Sequence, residues 1–288
     1  MEKPLVILEM ANNHMGDKSH AIKIIKTYSK ITKNFSNKID FAFKFQFRDL
    51  ETYIHHSFKN TNHKQVRRFE DTKLTDKQWK EIFKSAGKNF KLISTAFDEK
   101  SVIKIVKLKF DFLKIASCSM NEWPLLEYIS KFARKKKIIC SLGGANENEI
   151  RNTTSFFKNR NINVKYLYCV AKYPTKPENL NLSYFSHLRN IYGDLISGFS
   201  SHELPEEKLS GGAAYAAGSR IFEKHVGLET KKYKLNKYST SPKQMQYWIE
   251  NLSNTIDRFG TIKDRNKFLY KERENLSVFK KGIFLKKN

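Results

Sequence analysis

Two histidines, His202 and His225, each end a β-type run (ISGFSSH and RIFEKHV), and each stands near an acidic residue, Glu203 and Glu223 respectively. If the two runs are neighbouring strands, the imidazoles lie within a few ångströms of each other. Two neutral imidazoles at a polar surface suit Mn2+, Fe2+ or Zn2+, with positions left for water and substrate. A general base beside a hydrogen-bonded structural histidine fits the same spacing equally well.

Lys44 and Lys114 sit inside otherwise apolar runs, FAFKFQF and FLKIASC. Burying a lone ammonium is costly unless an anion meets it. Together with the hydroxyls of Thr95, Ser117 and Ser141, two inward lysines would hold a phosphate and a carboxylate. The alternatives are a Schiff-base lysine or an outward side chain threading between helices. Glu9, in the first apolar run, is an acid/base group, a metal-shell partner or a buried structural carboxylate. Gly143-Gly144 allows close backbone approach to a ligand or simply a turn.

These residues need elements to position them. Eight short β-branched or aromatic runs recur: 5–11, 41–47, 91–97, 112–118, 137–142, 164–170, 196–202 and 220–226. Helical periodicity separates them, as in AIKIIKTYSKI (21–31), VIKIVKL (102–108), LLEYISKFA (125–133) and LSYFSHL (182–188). Asn121 reads as the start of the fourth helix and Ser241-Pro242 as that of the last. Eightfold strand-helix alternation predicts an α/β fold, a (β/α)8 TIM barrel over residues 1–260. In that fold the strand C-termini converge on the active site, and here they carry Glu9, Lys44, Gln46, Thr95, Lys114, Ser117, Ser141, Tyr173, His202 and His225. The long interruption, 48–90, reads as a partly helical flap over the mouth. Residues 261–288 read as a basic extension without a domain of its own.

The chain has 288 residues, 54 Lys+Arg against 29 Asp+Glu and a formal net charge of +25, which favours anionic ligands. Abundant lysine alongside Ile, Asn and Phe points to compositional bias as the main cause, and no nucleic-acid-binding module appears. Cys118, Cys140 and Cys169 form no CxxC pair and read as core residues of a reducing compartment. No apolar run approaches membrane-spanning length, so a cytoplasmic location without membrane contact is expected.

Taken together, LEMANNHMGD (8–17), FKFQF (43–47), ISTAFDEKSV (93–102), LKIASCSMNEWPLLEYI (113–129), CSLGGANENEI (140–150), YCVAKYPTKPENLNL (168–182), GFSSHE (198–203) and IFEKHVGL (221–228) resemble the sialic acid synthase family in collinear order. The resemblance implies metal-dependent condensation of phosphoenolpyruvate with an aldose to a 3-deoxy-2-keto sugar acid, for surface glycans. It implies that His202 and His225 hold a divalent metal, Mn2+ first and Mg2+, Fe2+ or Zn2+ as alternatives. Lys44, Thr95, Lys114, Ser117 and Ser141 would surround phosphoenolpyruvate, Glu9 would be a catalytic carboxylate, and Gln46 and Tyr173 would face the sugar. A homodimer is expected.

The chain departs from the family at Cys118-Ser119, where a Gly-Glu pair is usual, at Leu142 in place of Thr and at Ala171 in place of Asn. Asn236 is the nearest counterpart of an aspartate, and only a linker into the family's C-terminal antifreeze-like domain is matched. A Schiff-base aldolase on the same barrel, or an inactive barrel used as a binding subunit, are the competing readings.

Overall fold

Side chains alternate between the two faces of a strand, so in a barrel every second residue points at the axis and the others meet the helices. The inner series here begin apolar and end polar: Leu5, Ile7, Glu9; Ala42, Lys44, Gln46; Ile93, Thr95; Phe112, Lys114; Ile139, Ser141; Ile221, Glu223, His225. Leu5, Ile7, Ala42, Ile93, Phe112, Ile139 and Leu167 pack into one buried cluster that plugs the lower barrel. The alternate residues, among them Val6, Leu8, Phe43, Phe45, Leu113, Ile138, Tyr166, Phe199 and Phe222, join the larger core beneath the helices.

The computed structural model describes residues 3–59 and 61–280. It runs β1 (Leu5–Glu9), α1 (Lys18–Lys33), β2 (Asp40–Phe47), α2 (Leu50–Tyr53), α3 (Lys64–Asp71), α4 (Asp76–Ala86) and β3 (Lys91–Ala96). Then follow α5 (Glu99–Lys107), β4 (Phe112–Ile115), α6 (Trp123–Phe132), β5 (Lys137–Ser141), α7 (Glu147–Asn159) and β6 (Val164–Cys169). The chain continues through α8 (Leu182–Tyr192), β7 (Ile196–Ser201), α9 (Ser210–Ala216), β8 (Ile221–His225), α10 (Pro242–Phe259) and α11 (Ile262–Ser277).

Among the described residues the eight strands, all parallel, close a barrel in sequence order, β8 pairing back onto β1. This is the predicted (β/α)8 barrel. Gly198 is required low in that barrel, where a Cβ would come within 2.0 Å of Leu167 Cδ2.

Each predicted strand is present, and six of the eight end one or two residues early. The fourth ends three early, because β4 stops at Ile115 and Ser117–Ser119 turn as a 3-10 helix. Ser241 caps α10 in a capping box with Gln244, as its sequence indicates. Asn121 is not the cap of α6: Glu122 occupies that position, and Asn121 Nδ2 donates instead to Glu149 Oε1 at 2.8 Å.

The 48–90 interruption is shorter than its length in sequence suggests. Thr75 caps α4, which buries Trp79, Ile82, Phe83 and Ala86 and serves as the barrel's own crossover helix, leaving α2 and α3 as the flap. α11 buries no side chain. No helix of the described residues is long and apolar enough to cross a membrane.

Candidate active site

All ten residues singled out from sequence line one cavity of about 800 Å3 at the C-terminal mouth: Glu9, Lys44, Gln46, Thr95, Lys114, Ser117, Ser141, Tyr173, His202 and His225. Strand register brings them together. Glu9 pairs with Lys44 on one side and His225 on the other, and Thr95 lies between Gln46 and Lys114.

The floor is a buried charge cluster. Lys44 Nζ lies 2.5 Å from Glu9 Oε2 and 2.8 Å from Glu223 Oε1. Burial alone would push the Glu223 carboxyl up, but the neighbouring Lys44 and Lys114 charges outweigh it and hold it at about 2. Burial likewise brings the Lys44 ammonium down to about 8 against the pull of Glu223, which leaves it charged at neutral pH. Each buried ion costs several kcal/mol in lost hydration, so the cluster survives only because its members compensate one another. Glu9 Oε1 also accepts from the Ala11 N–H at 2.5 Å, and Ser200 Oγ donates to Glu223 at 3.2 Å.

Beside the cluster is an anion cradle. Lys114 Nζ donates to Ser141 Oγ at 2.6 Å and to the Ile115 carbonyl at 2.8 Å, but no carboxylate is paired with it among the described residues. Ser117 Oγ accepts from the Gly143 N–H at 3.0 Å. The glycine is needed there, since a Cβ would come 2.9 Å from that oxygen and 3.1 Å from Cys169 Sγ. The buried Thr95 hydroxyl has no partner. A lysine with hydroxyls and an unspent donor has the chemistry to hold a phosphate or carboxylate.

On the other wall the His202 and His225 rings lie 5.3 Å apart, centroid to centroid. Burial brings His202 down to about 4, and burial with the charges of His202 and Lys44 holds His225 well below its ordinary value. Both rings are therefore neutral at pH 7. His202 Nδ1 contacts the Val170 carbonyl at 3.3 Å, which places its proton there and the lone pair on Nε2. His225 Nδ1 is buried without a partner. Two neutral, neighbouring imidazoles with an orphaned nitrogen fit a divalent cation. Among the described residues no group of three or more His, Cys, Asp or Glu completes a ligand set, so water and substrate would fill the remaining positions.

Several lining residues escaped the sequence reading. Tyr238, on the loop after β8, sets its ring 5.1 Å from His225 and 5.3 Å from Tyr173. Asn236 does not line the cavity; it donates to Asn13 at 3.4 Å and accepts from the Tyr238 N–H at 3.1 Å, so it shapes the loop that carries Tyr238. Arg48 and Phe97 were also missed. Cys118 is exposed on the cavity and is not a core residue, because the 3-10 turn after β4 rotates it outward. Cys140 and Cys169 are both buried as expected, and Cys169 also lines the cavity, 3.6 Å from His202 Nδ1. Of the other departures, Ala171 lines the cavity and Leu142 is buried in the core.

A model of the NeuB family matches residues 31–264. The chain is 28% identical over 242 residues to the N-acetylneuraminate-9-phosphate synthase of Mus musculus, covering 82% of this chain and 65% of that protein. It is 28% identical over 296 residues to the N,N'-diacetyllegionaminic acid synthase of Campylobacter jejuni, covering 100% of this chain and 86% of that one. Among solved structures it is similar to a protein of Chromobacterium violaceum named for spore coat polysaccharide biosynthesis, with a TM-score of 0.86 and 39% identity, covering 90% of this chain and 77% of that one. The fold is also shared with the N-acetylneuraminic acid synthetase of Leptospira borgpetersenii, with a TM-score of 0.78 and 24% identity, over 96% of this chain and 93% of that one. The chain thus spans about two thirds of the length of the mouse protein.

Proposed function

The chain belongs to the NeuB family, and on that premise we propose that it condenses phosphoenolpyruvate with an aldose, giving a 3-deoxy-2-keto sugar acid and phosphate for surface-glycan biosynthesis. The observation that carries this reading is the meeting, in one cavity, of an anion cradle at Lys114, Ser117 and Ser141 with a neutral imidazole pair at His202 and His225. An enol phosphate needs the first, and polarising an aldehyde needs the second.

In this reading Lys114, Ser117, Ser141 and Thr95 hold phosphoenolpyruvate by its anionic groups and fix its methylene carbon toward the sugar. His202 and His225 would hold a divalent cation, Mn2+ foremost, which supplies Lewis-acid polarisation of the aldehyde oxygen. Gln46 and Tyr173 orient the aldose. The methylene carbon attacks the aldehyde carbon, forming the new C–C bond as the C=O π pair passes to the aldehyde oxygen, which takes up a proton to become a hydroxyl, and leaving positive charge on the former enol carbon. Water adds to that carbon and loses one proton; the resulting hydroxyl then loses its own proton to become the keto C=O as the C–O bond to phosphate breaks and phosphate departs with the bond pair.

In this reading Glu9 would move a proton: its Oε2 lies 2.5 Å from Lys44 Nζ, in a cluster of one buried cation and two carboxylates. Lys44 holds the carboxylates apart and offsets the charge of the bound substrate.

Purified protein supplied with Mn2+ and phosphoenolpyruvate should release phosphate only when an aldose acceptor is added. A broad panel of aldoses without any acceptor-dependent release would end the proposal.

A further inference from the structure

Four rings close a circuit on one wall of the cavity. The centroid of Tyr173 lies 4.3 Å from that of His202 and 5.3 Å from that of Tyr238; Tyr238 lies 5.1 Å from His225, and His225 5.3 Å from His202. Tyr238 meets His225 edge to face, with 88° between the ring planes, an arrangement aromatic quadrupoles favour. The histidines are the inner members. His202 is 6% exposed and His225 Nδ1 is shut off from solvent, whereas Tyr173 is 53% exposed and Tyr238 half-buried. The tyrosines therefore stand between the imidazole pair and the solvent.

The loop after β8 fixes Tyr238 from both sides. Its N–H donates to Asn236 Oδ1 at 3.1 Å. The next two residues, Ser239 and Thr240, are buried. Ser239 Oγ accepts from Asn13 Nδ2 at 2.9 Å, the Thr240 N–H donates to the His225 carbonyl at 2.9 Å, and the Thr240 carbonyl accepts from the Tyr28 hydroxyl at 2.7 Å. Tyr238 is thus tied through its own neighbours to the backbone of the histidine it covers, and its ring is held in place before any ligand arrives. We infer that Tyr238 is a positioning residue of the imidazole pair: its ring closes the solvent side of His225, so that a cation held there keeps few exchangeable waters and acts in a site where bulk water does not screen its charge. The part of this assignment that concerns the cation rests on the condensation reading above; the closure over His225 does not.

The test compares Tyr238→Ala, which removes the ring, with Tyr238→Phe, which keeps the ring and removes only its hydroxyl. In chelator-treated protein, the rate at which diethyl pyrocarbonate modifies His225 is read by peptide mass spectrometry and normalised to that of the exposed His187. It should rise at least about fivefold in Tyr238→Ala and stay within about twofold of the unaltered protein in Tyr238→Phe. With Mn2+ added, water-proton relaxation should report at least one more exchanging water on the ion in Tyr238→Ala, and the Kd for Mn2+ should rise at least about fivefold, with Tyr238→Phe unchanged in both. Equal modification of His225 in all three proteins overturns the closure and leaves the condensation standing. So does a Tyr238→Phe variant that behaves like Tyr238→Ala, since the hydroxyl and not the ring would then be the operative group. Faster modification with unchanged Mn2+ hydration and affinity overturns the role toward the cation. If the unaltered protein takes up no Mn2+, the cation reading falls, and the modification rates alone decide whether Tyr238 closes over His225.

Discussion

Lys224 Nζ lies 3.1 Å from Glu203 Oε1, with both side chains wholly shut off from solvent, and the pair ties the residue after His202 to the residue before His225. Ser210 Oγ donates to the same carboxylate, and Trp248 Nε1 donates to Ser210 at 3.4 Å, so β7 and β8 are locked to α9 and α10 just behind the two imidazoles. Breaking such a pair costs about 3–5 kcal/mol, because one charge is left buried and uncompensated. Lys224→Met should therefore lose that much in urea unfolding, while the Lys224→Met, Glu203→Leu double variant recovers most of it. A loss below about 1 kcal/mol in the single variant would refute the role.

Replacing Glu9 by Gln keeps the shape but removes a charge from the Lys44 cluster. Removing a general acid/base group lowers the rate by roughly 10²–10⁴-fold, so kcat for phosphate release should fall by at least about 100-fold. The KM for phosphoenolpyruvate should change little. A kcat within about tenfold of the unaltered protein would reassign Glu9 to a structural role.

His202→Asn and His225→Asn each delete one imidazole of the proposed cation site. Calorimetry of chelator-treated protein should show one tight Mn2+ per chain, lost in either variant. If the unaltered protein takes up no Mn2+, the pair is a base with a structural neighbour.

Lys114 donates to two oxygens, and among the described residues no carboxylate lies within ion-pairing distance of it. A hydrogen bond to a charged group contributes about 1.5–3 kcal/mol, so Lys114→Ala should raise the KM for phosphoenolpyruvate roughly 10–150-fold. Borohydride with pyruvate should leave the mass of the unaltered protein unchanged, whereas an adduct at Lys114 would revive the Schiff-base aldolase.

Stability should also depend on pH through His14, which packs edge-on to Trp79 and accepts from the Gly16 N–H at 3.2 Å. Burial, then the positive charges of His20 and Arg68, lowers it from 6.5 to about 4. Between those values the unfolded chain takes up a proton that the folded chain refuses, so stability falls as pH drops from about 6.5 to about 4 and then levels off. At about 1.4 kcal/mol per pH unit the full effect is roughly 3 kcal/mol. In urea unfolding at pH 7 and pH 4.5, His14→Gln should shrink the acid-induced loss by about 2 kcal/mol. An equal loss in both proteins would exclude His14 as its source.

The barrel was legible because strand alternation is local. A lysine two residues after Ala42 and another two after Phe112 can only share the inward face of their strands, and eight such runs separated by helical periods leave few other folds. The same locality marks Glu9, Thr95 and Ser141 as mouth residues. Asn121 was misjudged as a helix cap, and Cys118 as a core residue, because a helix start and a one-turn bend depend on how the next elements dock.

What the sequence determined by itself was therefore the periodic part: eight strands, their inward faces and the ten polar residues those faces deliver to one mouth. Only the tertiary structure decided that Lys44 is shared between Glu9 and Glu223, that Tyr238 rather than Asn236 reaches the cavity, and that Arg48, just after β2, lines it together with Lys64 and Arg68 of α3. The physical reason is that strand direction follows from neighbouring residues. Charge pairing and loop placement depend on residues far apart in the chain, whose meeting is fixed only when the barrel closes.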